Sequence, residues 1–415
     1  MEDKVIDHLF RYHSGKMVSV LTRIFGLQHL DMIEDAVQDT FVKASISWRQ
    51  QLPHNPEAWL MQASKNRLLD IFRKIQTEKK HRPLLRQGAD AIAINELFLD
   101  TEIDDAQLRM IFTACHPKLD PRDRISFALK TVSGFSTREI ASALLMKEQS
   151  VNKRLHRARQ TVRTSGMEFK IPSGNELPDR LESVLEVLYL IFNEGFHSNQ
   201  QGMLVRKELC IEAMRLCQLV LKNNHTRNSN AYALMALMAF HAARIDTKTN
   251  TESALLDLRN QDRSQWHLPY IEMGNTMMYK AVQEEVFSAY HYEAAIAAEH
   301  IKAKKFEHTD WRKILKYYQC LYDQHPVPSY VLTMAVVCMQ MEEYEASIDY
   351  LNLINAKDLN QRAYLYHGAM SDYFRAIDDP SQALVHIDKA LDTVNNNLEK
   401  DYLKNKKSEL LKQLK

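Results

Sequence analysis

Between Gln149 and Arg163 the chain carries Asn152, Lys153, Arg154, His156, Arg157, Arg159 and Arg163, with no acidic residue among them. The chemistry open to such a set is non-covalent. Lys and Arg at successive helical turns meet phosphates, while Asn152, Lys153 and Arg154, near the start of a helix, can reach base edges. A solvated basic flank on an ordinary helical hairpin is the alternative. A second set lies in PEAWLMQASKNRLLDIFRK (56–74), where Trp59 accompanies Lys65, Asn66, Arg67, Arg73 and Lys74. Rings that stack on bases, beside cations that hold a backbone, suit a single strand. Trp48 and Trp59 serve equally well as core.

Catalytic chemistry has weaker material. Phe192-Asn193-Glu194-Gly195, the Asp262-Arg263 pair with Trp266, and His291, His300 and His308 are the candidates. No nucleophile–base pattern, phosphate-binding loop or metal spacing accompanies them. A helix-ending turn at Gly195 and a structural corner at Trp266 account for the first two. The five cysteines (Cys115, Cys210, Cys217, Cys320, Cys338) are scattered, with no CxxC pair. They predict buried thiols in a reducing compartment, and Cys115 beside His116 is no ligand set. No catalytic residue, metal or cofactor is expected, and the chain reads as a non-enzyme.

The elements that must position the basic residues are legible nearby. Ser136-Thr137-Arg138-Glu139 fits a capping box, opening a helix whose apolar face is Ile140, Ala141, Leu144 and Leu145. A short turn over Met146 to Glu148 follows. The next helix carries Val151, Leu155, Ala158 and Val162 as one stripe at i, i+4, i+7 and i+11. Two helices, a tight turn and a basic second helix describe a helix-turn-helix, with 149–163 as the recognition helix. Earlier, IEDAVQDTFVKA (33–44) places Ile33, Val37, Phe41 and Ala44 on one face and predicts Glu34, Asp35, Gln38, Asp39 and Lys43 outside. Pro56 suits a helix start.

The 415 residues suggest several domains. With 10 Gly, 11 Pro and helical spacing recurring almost throughout, the fold class is all-α. The expected organisation is a helical block at 1–76, a linker at 77–106, a second block at 107–168 and a helical extension at 176–415. The linker begins basic (Lys79, Lys80, Arg82, Arg86) and turns acidic (Asp90, Glu96, Asp100). KIPSGNELP (170–178) marks a boundary. Residues 1–170 hold 27 Lys/Arg against 21 Asp/Glu and the rest 27 against 32, so polyanion binding belongs to the front. MEDKVIDHLFRYH has no apolar run, no segment is long enough to span a membrane, and a cytoplasmic protein is expected. In the extension, EEYEASIDYLNLI (342–354) and DDPSQALVHIDKAL (378–391) read as second helices of helix-pair repeats. Ala346 and Ala383 are near, but not at, a 34-residue period.

EDAVQDTFVKA followed by PEAWLMQASKNRLLDIFRK resembles region 2 of extracytoplasmic-function sigma factors, and LDPRDRISFALKTVSGFSTREIASALLMKEQSVNKRLHRARQTVR (119–163) resembles their region 4. ELPDRLESVLEVLYLIFNEGF, LRNQDRSQW and YEAAIAAEH resemble the sigma group with a tetratricopeptide-like extension. The resemblance implies two small helical sigma domains and a subunit of bacterial RNA polymerase. Asp35, Gln38 and Asp39 would meet the clamp helices of the core polymerase β′ subunit, and the linker would thread the enzyme alongside β. Trp59, Lys65, Asn66, Arg67 and Arg73, with the loop Arg49–Asn55, would capture the −10 strand. Asn152, Lys153, Arg154, His156, Arg157 and Arg159 would read the −35 promoter DNA. Leu145 and Lys147 depart from the Gly and the Ser or Pro common there. The extension would take a regulatory protein or peptide on a concave face. Two other readings stay open: a conventional helix-turn-helix regulator with a sensor domain, and a helical-repeat scaffold that binds no DNA.

Overall fold

The computed structural model describes residues 2–48, 53–78, 100–144, 146–196, 206–248, 256–394 and 397–413. Among the described residues there are eighteen α-helices and no strand, as the recurring helical period predicts. The chain divides into two compact units, Met1–Glu194 with Ile211–Thr226, and Gly195–Cys210 with Arg227–Lys415.

The first unit begins with α1 (Glu2–Phe25), α2 (Leu30–Ser47) and α3 (Pro56–Glu78). Their apolar stripes meet in a core of Met17, Leu21, Ile33, Val37, Phe41, Leu60, Leu68 and Phe72, all buried. Phe25 stacks on Phe72 with ring centroids 5.3 Å apart. Next come α4 (Asp100–Ala114), α5 (Pro121–Thr131), α6 (Thr137–Ala143) and α7 (Glu148–Thr164). They enclose Phe112, Phe127, Leu129, Ile140, Val151 and Leu155. The linker residues Lys79, Lys80, Arg82, Arg86, Asp90 and Glu96 lie outside the described residues. In α8 (Leu177–Phe196), Arg180 donates from Nη2 to the Phe112 carbonyl at 2.7 Å. The two helical blocks approach closely at Gly15, where an added Cβ would sit 1.8 Å from the Val132 carbonyl oxygen. Only a glycine allows α1 to lie on the end of α5.

The second unit runs from the end of α8 through the start of α9 (Lys207–Lys222), then from α10 (Ser229–Ala243) to α18 (Asn397–Gln413). Nearly every side of α10 is apolar and buried, the mark of a helix enclosed on all faces. It packs against α11 (Leu268–Ala281) and α12 (Ala289–Lys302). Further on, α14 (Pro328–Gln340) pairs with α15 (Tyr344–Asn352), and α16 (Ala363–Ala376) with α17 (Pro380–Thr393). In both pairs a serine hydroxyl crosses between helices at 2.9 Å, Ser347 to the Ala335 carbonyl and Ser371 to that of Ala383. The turns within the pairs put Glu342 and Asp378 in the left-handed region, both at φ 60°.

Gly195 sits where α8 ends and the chain returns. A Cβ there would lie 2.8 Å from Leu209 Cβ, 2.9 Å from the Arg206 carbonyl and 2.9 Å from Cys210 Sγ. The Arg206 N–H donates to the Gly195 carbonyl at 2.7 Å, so the backbone has no slack to move. The glycine of Asn193-Glu194-Gly195 is therefore there for close approach. Gly195→Ala should lower stability by about 1–3 kcal/mol, as an overpacked site does, measured as a fall in the denaturant midpoint at unchanged slope.

Candidate nucleic-acid interface

The capping box opens α6 as its residue types require. Ser136 Oγ accepts from the Glu139 N–H at 3.1 Å, and Glu139 Oε2 accepts from the Ser136 N–H at 2.8 Å. Leu145 lies outside the described residues. Lys147 stands at the start of α7 with no side-chain cap, the weakness its residue type predicts. Val151, Leu155, Ala158 and Val162 are buried, which turns the opposite side of α7 outward. Asn152, Lys153, His156 and Arg157 are exposed there.

Acceptors fix the reach of the arginines. Arg154 donates to the Arg122 carbonyl at 2.7 Å. Arg157 forms a two-bond fork on the buried Asp123, at 3.0 and 2.6 Å, which raises its already high pKa further through those bonds. Arg159 departs from the expectation: it faces α2, bonding Glu34 Oε2 through Nε at 3.1 Å and Nη2 at 2.5 Å, with Asp31 at 3.2 Å. Arg163 pairs with Asp31 at 3.0 Å. Glu34, expected outside, is accordingly covered. Burial pushes its carboxyl up, and Arg159 and then Lys130 pull the other way.

The other set is split between core and surface. Trp48 is 5 % exposed and is core, while Trp59 stays half-buried with its ring edge-on at 5.4 Å. The N-terminus of α3 is capped by Asn55 Oδ1, which accepts from the Ala58 N–H at 3.0 Å. Asn66 is exposed and accepts from Gln62 at 2.9 Å. Arg67 forks onto Asp39 Oδ2 at 2.9 and 2.7 Å, so one expected strand-binding residue holds one expected partner-binding residue. Arg73 is exposed beside Asp70 at 3.2 Å. Lys65 is 7 % exposed, contrary to expectation, because its position on α3 faces inward beside Ser64 and Leu68. Residues 49–52 of the expected capture loop lie outside the described residues.

On α2, Asp35 and Gln38 are exposed as expected. Sequence reasoning missed Val42 and Ile46, which are 54 % and 67 % exposed on that same side. The signal was their offset from the Ile33–Val37–Phe41–Ala44 stripe. Two bare aliphatics beside two polar residues make a surface suited to a protein partner.

Three comparisons bear on this geometry. Residues 9–78 match sigma-70 region 2, and residues 109–162 match sigma-70, region 4. Residues 180–282 match a family of unknown function, DUF6596. An uncharacterized protein, R00370, of Rhizobium meliloti (strain 1021) is 31% identical over 398 residues, 93% of this chain and 91% of that protein. The ECF RNA polymerase sigma factor SigE of Mycolicibacterium smegmatis is 28% identical over 157 residues, 38% of this chain and 60% of that protein. The ferric citrate uptake sigma factor FecI of Escherichia coli is 26% identical over 152 residues, 37% of this chain and 85% of that protein. The chain belongs to the sigma-70 family, carrying its regions 2 and 4 ahead of a DUF6596 domain, with distant homologues among the ECF sigma factors. No solved structure matches it.

Sigma region 2 is thus α1–α3, and region 4 is α4–α7. The remaining candidates fall outside both, and His291 and Asp262 have structural roles. His291 caps α12 with Ser288 and meets Ser229 Oγ at 2.8 Å. Asp262 Oδ1 accepts from the Ser264 N–H at 3.0 Å and closes a turn. His308 is exposed, and among the described residues no group of His, Cys, Asp and Glu could hold a metal ion. Burial pushes the Cys115, Cys210 and Cys217 thiols up to about 12, which leaves them poor nucleophiles. No described helix is long and apolar enough to cross a membrane.

Asp123 is the buried anchor of the Arg157 fork. Asp123→Asn should cost about 1–2 kcal/mol, at the low end for a charged hydrogen bond because Arg157 is half exposed. Thermal unfolding of the variant, alone and with Arg157→Gln, checks the coupling.

Proposed function

We propose that this sigma factor directs bacterial RNA polymerase to promoters in the cytoplasm. It binds the core through the outer side of α2 at the β′ clamp, with the linker passing β. Trp59, Asn66, Arg67 and Arg73 engage the opened −10 strand, and α7 reads −35. The observation that carries the reading is the one-sided surface of α7. Asn152, Lys153, His156 and Arg157 stand exposed in a row, and the opposite stripe is buried. Such a row supplies base contacts at the helix start and phosphate contacts along it. The chain acts without catalysis of its own, its C-terminal half serving as regulator. In that half a groove of about 670 Å³, lined by Asp257, Arg259, Asp372, Arg375, Lys406 and Glu409, offers paired charges to a polar peptide. A conventional helix-turn-helix regulator would have no use for Val42 and Ile46 exposed beside Asp35 and Gln38.

This reading requires the first unit to open. Promoter elements centred roughly 25 base pairs apart are separated by about 85 Å at ~3.4 Å per step. A compact unit of roughly 210 residues has a radius of gyration of about 17 Å, and so is about 45 Å across. The deficit is about 40 Å. The chain from Glu78 to Asp100 can extend over about 75 Å, at ~3.4 Å per residue, and more than covers it. The ion pairs that must break are Arg159 to Glu34 and Asp31, Arg163 to Asp31, and Arg23 to Glu102 and Asp105.

Run-off transcription with purified core polymerase tests the function. On a promoter upstream of the protein's own gene, initiation should require the chain, and Lys153→Glu should reduce it by tenfold or more. Initiation without the chain, or duplex binding with no core association, would sink the reading. Opening is tested separately. Asp31→Lys repels both arginines and should raise the affinity of the free protein for −35 duplex several-fold at low salt, measured by fluorescence anisotropy. An unchanged affinity would show that the contact does not restrain α7.

A further inference from the structure

The second unit buries positive charge for which the sigma reading has no use. Lys248 and Arg244 both lie on the Phe196 ring, the ammonium 3.7 Å and the guanidinium carbon 4.9 Å from its centroid. Arg263 lies over Trp266 at 4.8 Å. The Arg244 charge acts on Lys248, the Arg263 charge on Arg244, and both arginines on His300. The four groups therefore form one cluster, drawn from the segment after α10, the turn before α11 and the C-terminal end of α12.

Part of this charge has a structural task. Lys248 Nζ donates to the Phe196 carbonyl, and Arg263 Nη1 to the His300 and Ala303 carbonyls at 2.5 and 2.7 Å. Those bonds cap the ends of α8 and α12, where cations are favourable. Capping leaves the rest unexplained. Arg244 is half-buried, and the one hydrogen bond of its guanidinium among the described residues is to His241 Nδ1 at 3.2 Å. Arg263 Nη2 and His300 Nδ1 are buried with no hydrogen-bond partner among the described residues. The one carboxylate there that acts on any of the four is Glu307, and it acts on Arg263 alone.

A buried ammonium, and guanidinium and imidazole nitrogens buried without a hydrogen-bond partner among the described residues, are unfavourable, because the hydration they lose is not replaced there. The strain is visible in the proton affinities. Burial, with Arg244 adding to it, pushes Lys248 down to about 7. Burial and then Arg263 push Arg244 down to about 10, and burial with both arginines pushes His300 down to about 4. An anion at the centre would relieve each of these at once and would take up the orphaned donors.

We propose that Arg244, Lys248 and Arg263, with His300, bind a small oxyanion carrying two or more negative charges. The phosphoryl group of a small molecule is the chemistry that two guanidinium forks and one ammonium fit best. The site stands whether or not the first unit acts on promoters, since binding needs only the second. It gives the C-terminal half a small-molecule input separate from the peptide groove.

The test uses the full chain and inorganic phosphate. Thermal midpoints are measured against chloride at matched ionic strength, with titration calorimetry for stoichiometry and a parallel arm with succinate. A saturable rise of the midpoint with phosphate, at one site per chain, is the expected result. Lys248→Met and Arg263→Lys should each weaken that binding at least tenfold, the second because a lysine keeps the charge but loses the fork. Lys207→Gln is the control, because Lys207 pairs with Asp246 and Asp246 with His267 instead. Its binding should match the unaltered chain. Stabilisation by succinate alone would keep the oxyanion site and make the ligand a carboxylate. If neither anion shifts the midpoint beyond chloride, or both variants shift as much as the unaltered chain, the charge is compensated within the chain and the proposal falls.

Discussion

Glu34 is a carboxylate taken out of water at the start of α2, and Arg159, 125 residues later, makes its burial tolerable. The exchange is close to even. Burial raises the Glu34 carboxyl despite the guanidinium beside it, so desolvation outweighs attraction on that side of the pair. A pair of that kind holds two parts in register without holding them strongly. Around it the contact between regions 2 and 4 has further ion pairs, Asp31 half exposed between Arg159 and Arg163 and Arg23 with Glu102 and Asp105, and α1 also packs along α4. Where the blocks come closest, Gly15 meets backbone at Val132 and contributes no side chain of its own. A polyanion would offer Arg159 and Arg163 the same charge that Glu34 and Asp31 offer.

Each region also has firm contacts of its own. Region 4 is closed around Phe112, Phe127, Leu129 and Ile140, and α7 adds Val151, Leu155 and Ala158 from one face. Arg157 is then aimed by Asp123, and Arg154 by the Arg122 carbonyl, both from α5. The outer face of α7 is thus positioned by the helix that precedes the helix-turn-helix proper. Separating regions 2 and 4 leaves that arrangement intact, because none of these bonds crosses between them.

Periodicity made much of this legible before any coordinates. The stripe Val151–Leu155–Ala158–Val162, the capping box at Ser136 and the stripe Ile33–Val37–Phe41–Ala44 depend on neighbours three to four residues away, and all are found. What could not be read depends on contacts between distant segments. A helical pattern shows that Glu34 lies off the apolar stripe, but not that a helix from the other block covers it. Lys65 was read as a surface cation from its charge, whereas its place on α3 buries its stem. Val42 and Ile46 escaped notice for the opposite reason, since an aliphatic residue is assigned to the core until nothing is found to cover it. The cations of the second unit escaped because Arg244, Lys248, Arg263 and His300 are spread over 57 positions and share no period.

Charge in the first unit is also more local than its composition suggests. Residues 1–170 carry an excess of six cations, yet many are tied to acids in their own unit: Arg23 to Glu102, Arg67 to Asp39, Arg109 to Asp105, Arg157 to Asp123 and Arg159 to Glu34. The exposed pairs among these contribute little stability but hold side chains in place. The outer side of α7 keeps an exposed basic strip, where Lys153, His156 and the exposed edge of Arg157 follow one another. Opening the unit would lengthen that strip by returning Arg159 and Arg163 to it.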